Sequence, residues 1–161
     1  MMHLSKRRNA PPRTSRILPH RQLDQWPPAH IQRRLLEECL NLPHVRWRES
    51  RMAPPGTSAL ALPDAFAHGG PNSYIDQHEF CHLHALPDGS IHLILPDPYR
   101  RQVIDLGWGE RHPLAGSALS PNLVMVYSPR DVEELEIVLG FVVIGHSFAI
   151  GAVAERAAAL A

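Results

Sequence analysis

Between Pro28 and Leu42 the apolar residues Ile31, Leu35, Leu36, Cys39 and Leu40 recur at three- and four-residue spacing. That period predicts an amphipathic helix with Arg33, Arg34, Glu37 and Glu38 on its wet face. The period then changes. In HVRWRES, Val45, Trp47 and Glu49 alternate with Arg46 and Arg48, as in a strand with one solvated face, and Ser58 to Leu62 is its candidate neighbour across the turn chemistry of MAPPGT. DAFAHGGPNS, with Gly69, Gly70 and Pro71, reads as a loop. Gln77 to Ala85 and Ser90 to Leu95 read as two strands of a hairpin turned by Pro87, Asp88 and Gly89. With a tight turn and Leu86 opposite Ile91, His84 faces Leu93, His82 faces Leu95, and His92 shares the face of Glu79; a bulge would reverse this.

Asp97 to Leu106 has Tyr99, Val103, Ile104 and Leu106 at helical spacing, ending near Gly107, and Leu123 to Tyr127 reads as a buried strand. Ser128 as a cap, Pro129 at the first helical position and the acids from Asp131 to Glu136 predict a helix start, running to about Ala149. The apolar segment 137–154 has His146 as its one titratable group and reaches the length at which a membrane span must be weighed. A central helix covered by a sheet accounts for it more economically, with Gly140, Gly145 and Gly151 allowing close packing. The expected fold is therefore α+β: a mainly antiparallel sheet with a histidine-rich hairpin, packed against two or three helices.

The 161 residues suit one domain. Charge divides it: the first 34 residues hold half of the 16 Lys and Arg but one of the 16 acids, so a basic N-terminus precedes an acidic body. With Pro11, Pro12, Pro19, Pro27 and Pro28 as well, residues 1–28 are expected to form a flexible arm that buries little, 29–154 the domain, and 155–161 a tail. A solvated arm is the simplest reading. Nucleic acid is not an expected partner, while membrane contact of the arm or of the C-terminal helix stays open. With two cysteines and no apolar segment after the N-terminal charges, the expected setting is cytoplasmic.

The 11 histidines matter for where they gather, since composition alone would scatter them. HEFCHLHALPDGSIH sets His78, Glu79, His82, His84, Asp88 and His92 close together, and His112 follows in a loop rich in Pro and Gly. His3, His20, His30, His44 and His68 look incidental. Alternation places His78, Phe80, His82 and His84 on one strand face and Glu79, Cys81 and Leu83 on the other. Glu79, His82, His84, His92 and His112 are the candidate catalytic residues, through acid–base chemistry of closely packed imidazoles near neutral pH. His78, Phe80, Leu93, Leu95, Tyr127 and His146 are the candidate substrate-binding residues. A divalent metal on His82, His84 and Glu79 is the alternative, disfavoured by the simple register. Ser117 reads as a turn residue and Cys81 as a buried apolar one.

HEFCHLH, PDGSIHLILP and GWGERHPLAGSALSPNLVMVYSPRDVEELEIV together resemble the luciferase-domain family, over roughly His44 to Ala149. Its E-x-x-H-x-H element falls on Glu79, His82 and His84, its D-G-S-x-H-L element on Asp88 to Leu93, and its H-P-L-x-G element on His112 to Gly116. The family includes fungal luciferases, which oxidise a hydroxylated pyrone with molecular oxygen. The resemblance thus implies O₂ as co-substrate, no flavin or other organic cofactor, and His82 or His84 as the base that makes an electron-rich anion from a small phenolic or pyrone-like compound. The basic N-terminus departs from the membrane segment of the fungal enzymes, so the resemblance does not carry their anchoring over to it. A non-catalytic module binding a small molecule or a protein is the competing expectation. The residues imply nothing about oligomeric state.

Overall fold

The computed structural model describes residues 4–154; His3 and the expected tail at 155–161 lie outside them. Six antiparallel strands form one sheet in the order β1-β2-β3-β4-β6-β5: β1 (Arg46–Glu49), β2 (Ser58–Ala61), β3 (Glu79–Leu83), β4 (Ile91–Ile94), β5 (Gly109–Arg111) and β6 (Leu123–Val126). The helices are α1 (Ala29–Leu40), α2 (Tyr99–Asp105) and α3 (Val132–Ala149). The α+β expectation holds.

One sheet face is apolar because Cys81, Leu83, Ile91, Leu93, Val124 and Val126 point the same way; they pack with Ile31, Leu35 and Cys39 of α1 and Leu135, Val138, Phe141 and Val142 of α3. The apolar segment of α3 is therefore core, and among the described residues no helix is long and apolar enough to cross a membrane. Its start lies later than expected. Asp131, not Ser128, is the cap, its carboxylate accepting from the Glu134 amide at 2.9 Å.

The opposite face carries the polar chemistry. Cross-strand partners form a row over five strands: Ala59 beside His82, His82 beside His92, His92 beside Met125, and Met125 beside Glu110. Two irregularities set this row, and both correct the simple register. The β3–β4 connection is a loop of residues 85–89 rather than a tight turn, closed by the His84 amide donating to the Ser90 carbonyl at 2.9 Å. That shifts the pairing by an odd number of residues and brings His92 onto the face of His82. Asp88 stabilises the longer loop by turning inward to accept from the Ser90 amide, and Gly89, at φ +62°, passes so close to Pro27 that a Cβ there would meet its Cγ at 2.5 Å.

The second irregularity is a bulge in β3. Leu60 pairs with Cys81 but Ala61 pairs with Glu79, so Phe80 is the extra residue. Phe80 joins Cys81 in the apolar core, while Glu79 rotates to the face of His82, from which strict alternation had excluded it.

Residues 4–28 are not a loose arm. Arg7, His20 and Gln22 are 4%, 2% and 1% exposed. A small hairpin bridged at Thr14 and Gln22 lies over the polar face of the sheet. The expectation treated all of the basic charges as solvated, whereas two of them meet the acidic body: Arg7 reaches Glu134 at 3.5 Å and Arg8 reaches Asp131 at 2.5 Å, while Lys6, Arg13, Arg16 and Arg21 are exposed. Gln22 ties the segment down from both ends, its amide donating to Asp88 at 3.0 Å and its side-chain oxygen accepting from the Ser128 amide at 3.1 Å.

Candidate functional site

A cavity of about 500 Å³ opens between the polar sheet face and the N-terminal hairpin. Five histidines line it, His20, His82, His84, His92 and His112, with an apolar remainder that includes Leu18, Met52, Ile75, Leu114 and Leu119. The sheet supplies three of these imidazoles, the loop after β5 supplies His112, and the tip of the hairpin supplies His20. Ala59, small and directly beside His82, leaves the row uncrowded.

Three of the rings are braced by a carboxylate. His82 Nδ1 lies 2.6 Å from Glu79, His84 Nδ1 lies 2.5 Å from Asp88, and His20 Nε2 lies 2.7 Å from Glu110. Each carboxylate is itself anchored: Glu79 accepts from Ser50 Oγ at 3.0 Å and from Arg48 at 3.4 Å, Asp88 from the Gln22 amide, and Glu110 from Thr14 Oγ1 at 2.8 Å and Tyr127 at 3.1 Å. A carboxylate only accepts, so the ring nitrogen facing it carries the hydrogen and the other carries the lone pair.

The consequence propagates. His82 Nε2 accepts from His92 Nδ1 at 2.7 Å, which leaves the lone pair of His92 on Nε2. His112 Nδ1 accepts from the Leu114 amide at 3.1 Å. The buried atoms His20 Nδ1, His84 Nε2 and His92 Nε2 have no hydrogen-bond partner among the described residues. They are three bare lone pairs on the wall of one cavity.

Electrostatics keep several of these rings neutral. Burial, together with the imidazoles of His82, His84, His112 and His20, drives His92 well below its ordinary range. Burial also lowers His112, to about 4, and lowers His82 despite the opposing pull of Glu79. Titration of the whole cluster near neutrality is thus corrected: mutual repulsion and desolvation hold these members in the lone-pair form. Asp88 and Glu110 are depressed although burial opposes it, because His84 and His20 respectively donate to them.

All five candidate catalytic residues come together here. The six candidate substrate-binding residues do not line the cavity. Phe80, Leu93 and Leu95 belong to the apolar core on the helix side, His146 donates from Nε2 to the Pro43 carbonyl behind it at 2.8 Å, and His78 pairs with Asp64 at 3.1 Å. Tyr127 is buried and spends its hydroxyl on Glu110. His78, Phe80, Leu93 and Leu95 were assigned by the simple alternation and register of the hairpin, and the longer loop and the bulge changed both. His20 was dismissed as incidental; its one sequence signal is the apolar Ile17-Leu18-Pro19 that precedes it in an otherwise basic stretch. Cys81 is buried, and desolvation raises its thiol well above the ordinary range, in keeping with an apolar role.

Residues 77–145 match the family model described as the Luciferase domain, a stretch that holds Glu79, His82, His84, Asp88, His92, Glu110 and His112 but not His20. The luciferases of Armillaria gallica and Armillaria mellea are each 37% identical to the chain over 65 residues, covering 38% of this chain and 24% of each relative. That of Neonothopanus nambi is 35% identical over 65 residues, with the same coverage. The match thus spans about a quarter of the length of these relatives. No solved structure matches the chain.

Proposed function

We propose that this cavity oxidises a small phenolic or pyrone-like compound with O₂, and that the Asp88–His84 pair is its base. The observation that carries the reading is the Nε2 lone pair of His84, buried at the cavity wall without a partner among the described residues while Asp88 fixes the opposite nitrogen at 2.5 Å. An acidic hydroxyl of the substrate gives its proton to that nitrogen, and the carboxylate stabilises the imidazolium that forms. The resulting anion is electron-rich and lies in an apolar hollow, where its charge is poorly solvated and its oxidation by O₂ is favoured. Similarity to proteins named luciferases supports the reading over the 65 matched residues.

The test is oxygen uptake and product analysis with a panel of hydroxylated pyrones and phenols, with emitted light recorded alongside. A general base contributes about 10²–10⁴-fold, so His84→Gln and Asp88→Asn are each expected to lower turnover on that scale while binding persists. Turnover unchanged in both variants rejects the base assignment; saturable binding without O₂ uptake for any compound favours the binding module.

A further inference from the structure

We infer that the cavity is also a binding site for a divalent first-row transition-metal ion, held by His20, His92 and His112. The inference rests on the same hollow being the reaction site, but on different residues from the proposed base.

One ring nitrogen from each of these three histidines lies within 4.8 Å of those of the other two, and all three residues are buried. At a metal–nitrogen distance of about 2.1 Å an ion sets tetrahedral ligands roughly 3.4 Å apart, so small side-chain rotations close the set. His82, His84 and His92 meet the same distance criterion. The hydrogen bonds separate the two triads. Using His82 would break its 2.7 Å bond to His92, because that bond occupies its lone pair. The triad with His20 costs less: His20 Nδ1 and His92 Nε2 are buried without a partner among the described residues, the bonds of His20 to Glu110 and of His92 to His82 use the opposite nitrogens, and only His112 has to move its proton to Nδ1, giving up the 3.1 Å bond from the Leu114 amide.

Two of the ligands are already braced as metal-bound imidazoles are, with the far nitrogen given to an acceptor that fixes the ring and raises its basicity. Glu110 does this for His20 directly, and Glu79 does it for His92 through His82. Donors that are all imidazole exclude Mg²⁺ and Ca²⁺ in favour of zinc, copper, iron, nickel or cobalt. His20 lies outside the residues that match the family, and it comes from the N-terminal hairpin, so the ion would pin that hairpin to the sheet.

The experiment uses the full chain, purified without a histidine tag, stripped with chelator and titrated with Co²⁺ by visible absorption and with Zn²⁺ by calorimetry. One equivalent is expected, with a nitrogen-ligated Co²⁺ band. His20→Ala, His92→Ala and His112→Ala are each expected to abolish stoichiometric binding, Glu110→Gln to weaken it about 10–100-fold, and His30→Ala, on the exposed face of α1, to leave it unchanged. For wild-type protein, added Zn²⁺ is expected to slow proteolytic cleavage within residues 4–28, a readout that needs no variant to fold. No stoichiometric ion, or binding indifferent to His20 and His112, overturns the inference. Both measurements are made without substrate, so failure to find a turnover leaves the metal result standing, and failure to bind metal leaves the base assignment standing.

Discussion

Glu79 shows how much of this site is held by single buried side chains. Its carboxylate is fully buried and serves Ser50, Arg48 and His82 at once. Replacing it with Gln removes the charge that answers the Arg48 guanidinium and points two N–H hydrogens at groups that also donate. Leaving buried donors without an acceptor costs about 1–3 kcal/mol, and Glu79→Gln is expected to lower the urea midpoint of unfolding accordingly; an unchanged midpoint would show that the cluster adds nothing to stability. Glu79, His82, His84, His92 and His112 were all legible in the sequence because they crowd into short motifs. His20 was not, because nothing local distinguishes it: its role depends on a hairpin folding back over strands β3 to β6, the first of which begins only at Glu79.

At the scale of elements, periodicity and turn signals located α1, α2, α3 and five of the six strands, most of which bury a regular stripe or face; β1, the mostly exposed edge strand, was found by its alternation alone. β5 escaped notice because three residues carry too little pattern, and its Gly109 is chosen for a close approach to Met125 rather than for strand preference. The pairing register was beyond the same signals. It depends on whether a loop holds two residues or five, and that is settled by Asp88 finding His84, Ser90 and Gln22 as partners. Packing of α3 on β4 rests on Gly145, where a Cβ would meet Leu93 Cδ1 at 2.6 Å and the Ile94 carbonyl oxygen at 2.8 Å. The leucine tip can swing away, but the carbonyl is held in the sheet. Gly145→Val gains less than 1 kcal/mol in helix propensity against an overpacking cost of about 1–3 kcal/mol. A net loss of roughly 1–2 kcal/mol is expected, visible as a lower melting temperature; a rise would mean that the helix shifts freely.

For the whole molecule, the opposed charges of its two ends are joined rather than separated. Glu134 is the hinge of that union, bonded by Arg130 through the amide and Nε at 3.0 Å and approached by Arg7 at 3.5 Å. Burial alone would raise its pKa, but these cations bring it below the ordinary value. A carboxylate depressed on folding contributes stability that is complete above its unfolded pKa and is lost as pH falls through the folded one. Acidification below about pH 4.3 is therefore expected to lower the melting temperature, and Glu134→Gln to start lower at pH 7 yet fall less steeply. Parallel acid limbs in the two proteins would rule out this pairing as the cause. The sequence showed the charge asymmetry but not its closure, which needs the distance between chain positions that only the fold supplies.

The extra residue Phe80 bears on how proteins of this kind diverge. Because it alone turns Glu79 toward His82, gaining or losing one amino acid at that point would rewire the histidine cluster while every histidine stayed in place. When related chains are aligned, a gap within β3 therefore signifies as much for chemistry as a substituted ligand, and a tally of matched motifs would pass over it.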